Sequence, residues 1–144
     1  MFFNNEIKDG DIIFLHDVWF PGIESIAYMR DGLGIDVKIV GCIFAGCYDP
    51  FDFLTKKGMG YWGKHIEEGW FRILDQIYVA TQFHKRLIME HRDVDPKKLI
   101  HTGHPIYPFP LKEIQKEKLV VFPHRLDSEK NPFLFDTLAA TVKS

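Results

Sequence analysis

Four short apolar runs, set at intervals between stretches of helical period, restrict the folds open to this chain more than any other feature. They are residues 11–16 (DIIFLH), 37–45 (VKIVGCIFA), 76–80 (QIYVA) and 98–102 (KLIHT). Each is short and rich in branched apolar side chains, as strands are, and turn residues bound them. The stretches between them repeat their apolar residues every three to four positions. Residues 24–30 form a short helix closed by Gly32 and Gly34, and residues 61–74 align Trp62, Ile66, Trp70 and Ile73 or Leu74 on one face. Residues 82–91 turn Phe83, Leu87 and Ile88 inward and gather His84, Lys85, Arg86, His91 and Arg92 on the solvated side. Strands alternating with helices through short connections predict an α/β fold with a parallel sheet flanked by helices. The mostly apolar 11–16 run is the pattern of a strand covered on both faces.

The punctuation between these elements is specific. Thr81 precedes the third helix as an N-cap, Asp49 followed by Pro50 suits another helix start, and Asp95-Pro96 is a turn. Residues 51–60 are irregular, with glycines that predict a mobile loop, and residues 1–10 read as an arm. Residues 106–117, proline-containing and then charged, read as a linker. It separates a first region, 1–105, from a second, 118–144. There residues 119–122 predict a buried strand, and Asn131-Pro132 opens a helix that turns Leu134, Leu138 and Val142 onto a sheet.

Composition narrows the class of protein. At 144 residues the chain can bury one core of ordinary size, and its 46% hydrophobic and 26% charged content is that of a globular protein. A net charge of -2 gives no overall attraction to nucleic acid or anionic membrane. Cys42 in a strand and Cys47 in the loop after it read as free thiols, since a disulfide would need that loop to fold back. No Cys/His spacing suggests structural zinc, no apolar run approaches about 18 residues, and no signal peptide is evident, so a cytoplasmic location is expected.

The residues able to carry chemistry gather at the ends of the predicted strands. His16 and Asp17 follow the first, where a histidine can donate to a hydroxyl or phosphate and an aspartate can orient it; the same pair could simply cap the next helix. Gly46 and Asp49 follow the second, in a loop whose amides could approach a ligand or merely turn the chain. His101, Thr102 and His104 cluster after the fourth, and a metal site from His16, His101 and His104 is conceivable, without an obvious carboxylate partner. Trp62 and Trp70 read as core. Arg125 and Lys130 lie in the loop before the last helix, one a planar donor fork and the other a mobile point charge, a pairing suited to phosphate oxygens. A solvated loop whose cations pair with Asp127 and Glu129 would show the same spacing.

The stretch VVFPHRLDSEKNP resembles the segment that opens the second domain of GT-B glycosyltransferases, in particular the glycosyltransferase 4-like group, with His124 where that group usually carries glycine. DQIYVATQFHKRL and KLIHTGHPIYP are similar, in the same order, to segments of the family's first domain. The resemblance implies two Rossmann-like domains of which this chain spans the end of the acceptor-side one and the start of the donor-binding one. The family's upstream Gly-rich loop and its later Glu-rich motif have no counterpart in the sequence. It further implies a sugar transferred from a nucleotide-sugar donor to an unknown acceptor, with the donor diphosphate held by Arg125 and Lys130, no metal and no cofactor. Two other readings remain open: a non-catalytic remnant acting as a binding or assembly module, and a metal-dependent hydrolase. Apolar residues of an incomplete second domain would then be covered by self-association or by a partner chain.

Overall fold

The computed structural model describes residues 6–104 and 117–142, and the chain divides into two compact units, Met1–Pro105 and Ile106–Ser144. The first is built on β1 (Ile12–Leu15), β2 (Lys38–Cys42), β3 (Gln76–Val79) and β4 (Leu99–His101), all parallel and ordered β1-β2-β3-β4. Each lies inside the apolar run that marks it in the sequence. Between them run α1 (Ile23–Leu33), the short α2 (Phe53–Lys56), α3 (Gly60–Ile73) and α4 (Gln82–His91).

This strand order decides which face is covered. Each crossover steps the same way along the sheet, and right-handed crossovers that all step one way fall on one face. Ile39, Ile77, Val79 and Leu99 share that face and form a single core with Ile23 and Ala27 of α1, Trp70 and Phe71 of α3, and Ile88 of α4. The other face carries Ile12, Phe14, Val40, Cys42, Tyr78 and Ile100. Phe14 and Tyr78 flank Val40, their rings 6.3 Å apart. There Ile12 is 62% and Phe14 55% exposed, so β1 alternates rather than being buried on both sides as its composition suggested.

Local signals account for most boundaries. Gly34 ends α1 in the left-handed conformation at φ 64°, whereas Gly32 stays inside the helix. The Thr81 hydroxyl accepts from the His84 amide at 3.0 Å, the expected cap of α4. Residues 51–60 are not simply a loop. Asp52, rather than Asp49, caps α2 through the Leu54 amide at 2.8 Å, and Asp49 instead closes an Asx turn onto Phe51.

Two helices present faces the apolar pattern did not give. On α3 the buried residues are Gly63, Glu67, Trp70 and Phe71, while Ile66 is exposed and Trp62 half-buried. On α4, Ile88 is buried and Leu87 packs against the core, but Phe83 is 66% exposed and Arg92, just past the helix end, is buried.

In the second unit α5 (Pro132–Val142) forms where Asn131-Pro132 predicts it. Asn131 takes φ 52° and its side-chain oxygen accepts from the Leu134 amide at 3.3 Å. Residues 119–122 do not form the expected buried strand: Leu119, Val120 and Val121 are exposed and no strand is present. An isolated extended segment has no ladder to satisfy its amides and no layer to cover it. Leu134, Leu138 and Val142 are exposed for the same reason. The expected linker, 106–117, lies outside the described residues apart from Glu117.

Candidate functional site

A buried carboxylate organises the loops at the C-terminal edge of the sheet. Glu67 on α3 is fully buried. Its Oε1 accepts from the Trp19 indole at 2.8 Å and the Cys47 amide at 2.5 Å, and its Oε2 accepts from Arg92 Nε at 2.8 Å and Nη2 at 2.7 Å. Four donors from the loop after β1, the loop after β2 and the end of α4 thus converge on one side chain. Arg92 also stacks 5.7 Å from the Tyr48 ring centroid. A buried charge without partners would be strongly unfavourable, and here both members are paired and hydrogen-bonded. The close quarters explain two glycines. A Cβ on Gly46 would strike the Tyr48 ring and Glu67, and one on Gly63 would strike Cys47 Sγ.

This clamp supports one wall of a cavity of about 250 Å³ at the ends of β2, β3 and β4, where open α/β sheets bind ligands. Tyr48, Asp49, Thr81, His84 and His104 supply its polar lining. His84 Nε2 lies 2.6 Å from the Tyr48 hydroxyl. Burial lowers the His84 pKa below its usual value, against an opposing pull from the Asp49 charge. The Tyr48 pKa is raised, by burial first and then by the Glu67, Asp52 and Asp49 carboxylates. Tyr48 therefore keeps its proton and can donate it to a neutral His84, whose other ring nitrogen then carries the proton. With Nε2 taken by Tyr48, the neutral imidazole presents an N–H that can donate to a hydroxyl oxygen, and the Asp49 carboxylate in the same lining can accept from such a hydroxyl.

The residues marked in the sequence are distributed unevenly around this cavity. Asp49 and His104 line it. His16, exposed just past β1, packs against Phe44 of the lining with ring centroids 5.9 Å apart. Asp17 accepts from the Trp19 amide at 2.9 Å, so its carboxylate shapes the turn, and no hydrogen bond among the described residues joins it to His16. Gly46 is buried against Tyr48 and Glu67, so its missing side chain serves packing. His101 and Thr102 are exposed. Among the described residues no three His, Cys, Asp or Glu side chains are placed to share a metal ion, His16, His101 and His104 included. Arg125 and Lys130, in the second unit, are exposed in the segment before α5, with Lys130 closing a 3-10 turn, Ser128–Lys130.

Glu67, Arg92, Tyr48 and His84 were not legible as a group. Glu67 and Arg92 lie 25 positions apart, and in a helical pattern a Glu or Arg reads as solvated. The available signal was Glu67 standing four residues from both Gly63 and Phe71, on a face whose other members are small or apolar. Among the described residues no helix is long and apolar enough to cross a membrane. Comparison of the chain with protein-family models, with curated proteins and with solved structures gives no match.

Proposed function

We propose that the chain is part of a glycosyltransferase of GT-B type, which moves a sugar from a nucleotide-sugar donor without a metal. The observation that carries the reading is the segment VVFPHRLDSEKNP, with Arg125 and Lys130 exposed ahead of an Asn131-capped helix. Neutralising a departing diphosphate needs fixed positive charge and multiple donors, which a guanidinium and an ammonium supply. A parallel sheet with a polar cavity at its C-terminal edge fits the acceptor-side half of such an enzyme, with His84 and Asp49 facing an incoming hydroxyl.

The test is calorimetric titration of uridine and guanosine diphosphates into the chain without added metal. Arg125→Ala should weaken binding about tenfold or more, since a charge-assisted hydrogen bond contributes roughly 1.5–3 kcal/mol. Arg86→Ala, exposed on α4, is the control. Equal losses in the two variants, or no binding to the wild type, would remove the donor-site reading.

A non-catalytic assembly module is the second reading. Exposed Leu119, Val120, Val121, Phe133, Leu138 and Val142 in the second unit favour it. Sedimentation should then show concentration-dependent association that Leu138→Lys weakens, with no diphosphate bound.

A further inference from the structure

The loop after β1, the first turn of α1, and α3 enclose a groove of about 410 Å³ that shares no lining residue with the cavity at the strand ends. The chain has 3 Trp, and Trp19, Trp62 and Trp70 all line this groove. Their rings stand nearly at right angles. Trp19 meets Trp70 at 87° with centroids 5.3 Å apart, and Trp62 at 66° with centroids 5.9 Å apart. Trp70 is buried and forms the back, while Trp19 and Trp62 are half-buried and form the sides.

We propose that this groove binds a small alkylated ammonium ion, held by the indole faces and by the Glu24 carboxylate at its rim. Indole faces carry the negative side of the ring quadrupole and attract cations whose charge is spread over methyl groups. Two of the rings are fixed by carboxylates: Trp70 Nε1 donates to Glu24 at 3.0 Å and Trp19 Nε1 to Glu67 at 2.8 Å. Their orientation is therefore set before a ligand arrives, which reduces the ordering cost of binding. Glu24 is exposed, and among the described residues no Lys or Arg pairs with it. Its carboxyl is held below the usual range by hydrogen bonds from its own backbone amide and from the Trp70 indole. Among the described residues, the only other titratable side chain in the lining is His65.

Gly69 independently marks the site as open space. A glycine inside a helix is unfavourable by roughly 0.5–1 kcal/mol relative to alanine. No neighbour requires this one, because a Cβ there would have nothing within 4 Å. The missing side chain leaves the groove clear between Ile66 and Ile73. A sugar fits less well. Stacked sugars need a broad flat ring and several hydrogen-bonding side chains, whereas these rings are mutually steep and the polar lining is one carboxylate and one imidazole.

Choline chloride is the probe, followed through the three indole N–H resonances, all from residues that line this groove, with Trp62 the one whose indole is outside the Glu24 and Glu67 hydrogen bonds. Potassium chloride at equal ionic strength serves as the blank, and 3,3-dimethylbutanol, the neutral isostere, as the comparison. Choline should shift the resonances saturably, with the isostere roughly tenfold weaker. Glu24→Gln and Trp62→Leu should each weaken choline about threefold to tenfold, and Gly69→Leu, which fills the groove at an exposed helix position, should abolish the shifts with far-UV circular dichroism unchanged. Co-sedimentation with phosphatidylcholine vesicles that free choline competes away would support the same site with a lipid headgroup as its source. Equal affinity for the neutral isostere, no saturable shift by about 100 mM choline, or undiminished binding in folded Gly69→Leu would overturn the proposal.

Discussion

Replacing Glu67 by Gln isolates the buried ion pair from the rest of its network. The amide keeps one oxygen for the Trp19 indole and the Cys47 amide, and puts an NH₂ against the Arg92 Nε and Nη2 donors now held at 2.8 and 2.7 Å. Arg92 is then a buried cation facing donors. Breaking a buried pair from one side costs about 3–5 kcal/mol, a large share of the roughly 5–15 kcal/mol that stabilises a domain. With a urea m-value of about 2 kcal/mol/M, the midpoint should fall by roughly 1.5–2.5 M. Trp19 and Trp70 lie in or beside the network, so tryptophan fluorescence reports the transition. Arg92→Met should cost a similar amount by stranding the carboxylate. The double variant Glu67→Gln/Arg92→Met should be about 2–3 kcal/mol more stable than the sum of the single losses implies. A loss below about 1 kcal/mol in Glu67→Gln, or strict additivity in the double variant, would refute the view that this pair holds the loops together.

Three further outcomes follow from the packing. Because the His84 pKa is lowered on folding, the unfolded chain binds its proton first, so stability present above about pH 6.5 should decline as pH falls toward the folded value; the decline in urea midpoint between pH 7.5 and 5.5 should be smaller in His84→Gln than in wild type. Two glycines of α3 should respond oppositely to alanine: Gly69→Ala should raise the stability by up to about 1 kcal/mol, whereas Gly63→Ala, whose Cβ meets Cys47 Sγ, should lower it and be partly rescued by Cys47→Ala. Cys42 is half-buried on the open sheet face, its pKa raised by burial and then by Asp17, and Cys47 is buried with its pKa raised to about 11, by burial first and then by Glu67. An aromatic disulfide reagent at pH 8 should therefore label Cys42 in the folded protein and Cys47 only on unfolding, as peptide mapping would show.

Local pattern marked the four strands of the sheet and the helices α1, α3, α4 and α5, though not α2. The apolar runs around Ile13, Val40, Ile77 and Leu99 became parallel strands, and Thr81 and Asn131 cap the helices that follow them. These features are local, because a strand's period and a cap's hydrogen bond involve residues a few positions apart. Faces and partners were decided only in three dimensions. The all-one-way strand order left Ile12 and Phe14 open although β1 is apolar on both sides. The second unit left residues 119–122 without strands to pair with, so an apolar run that reads like the others formed no strand and left Leu119, Val120 and Val121 exposed. Glu67 and Arg92 inverted their usual places, because donors from separated parts of the chain converge on one carboxylate and make its burial tolerable. Charge is written at single positions, but its compensation is a property of the folded neighbourhood, and this is why a sequence reading placed Arg92 in solvent while the structure made it a buried anchor beside the candidate site.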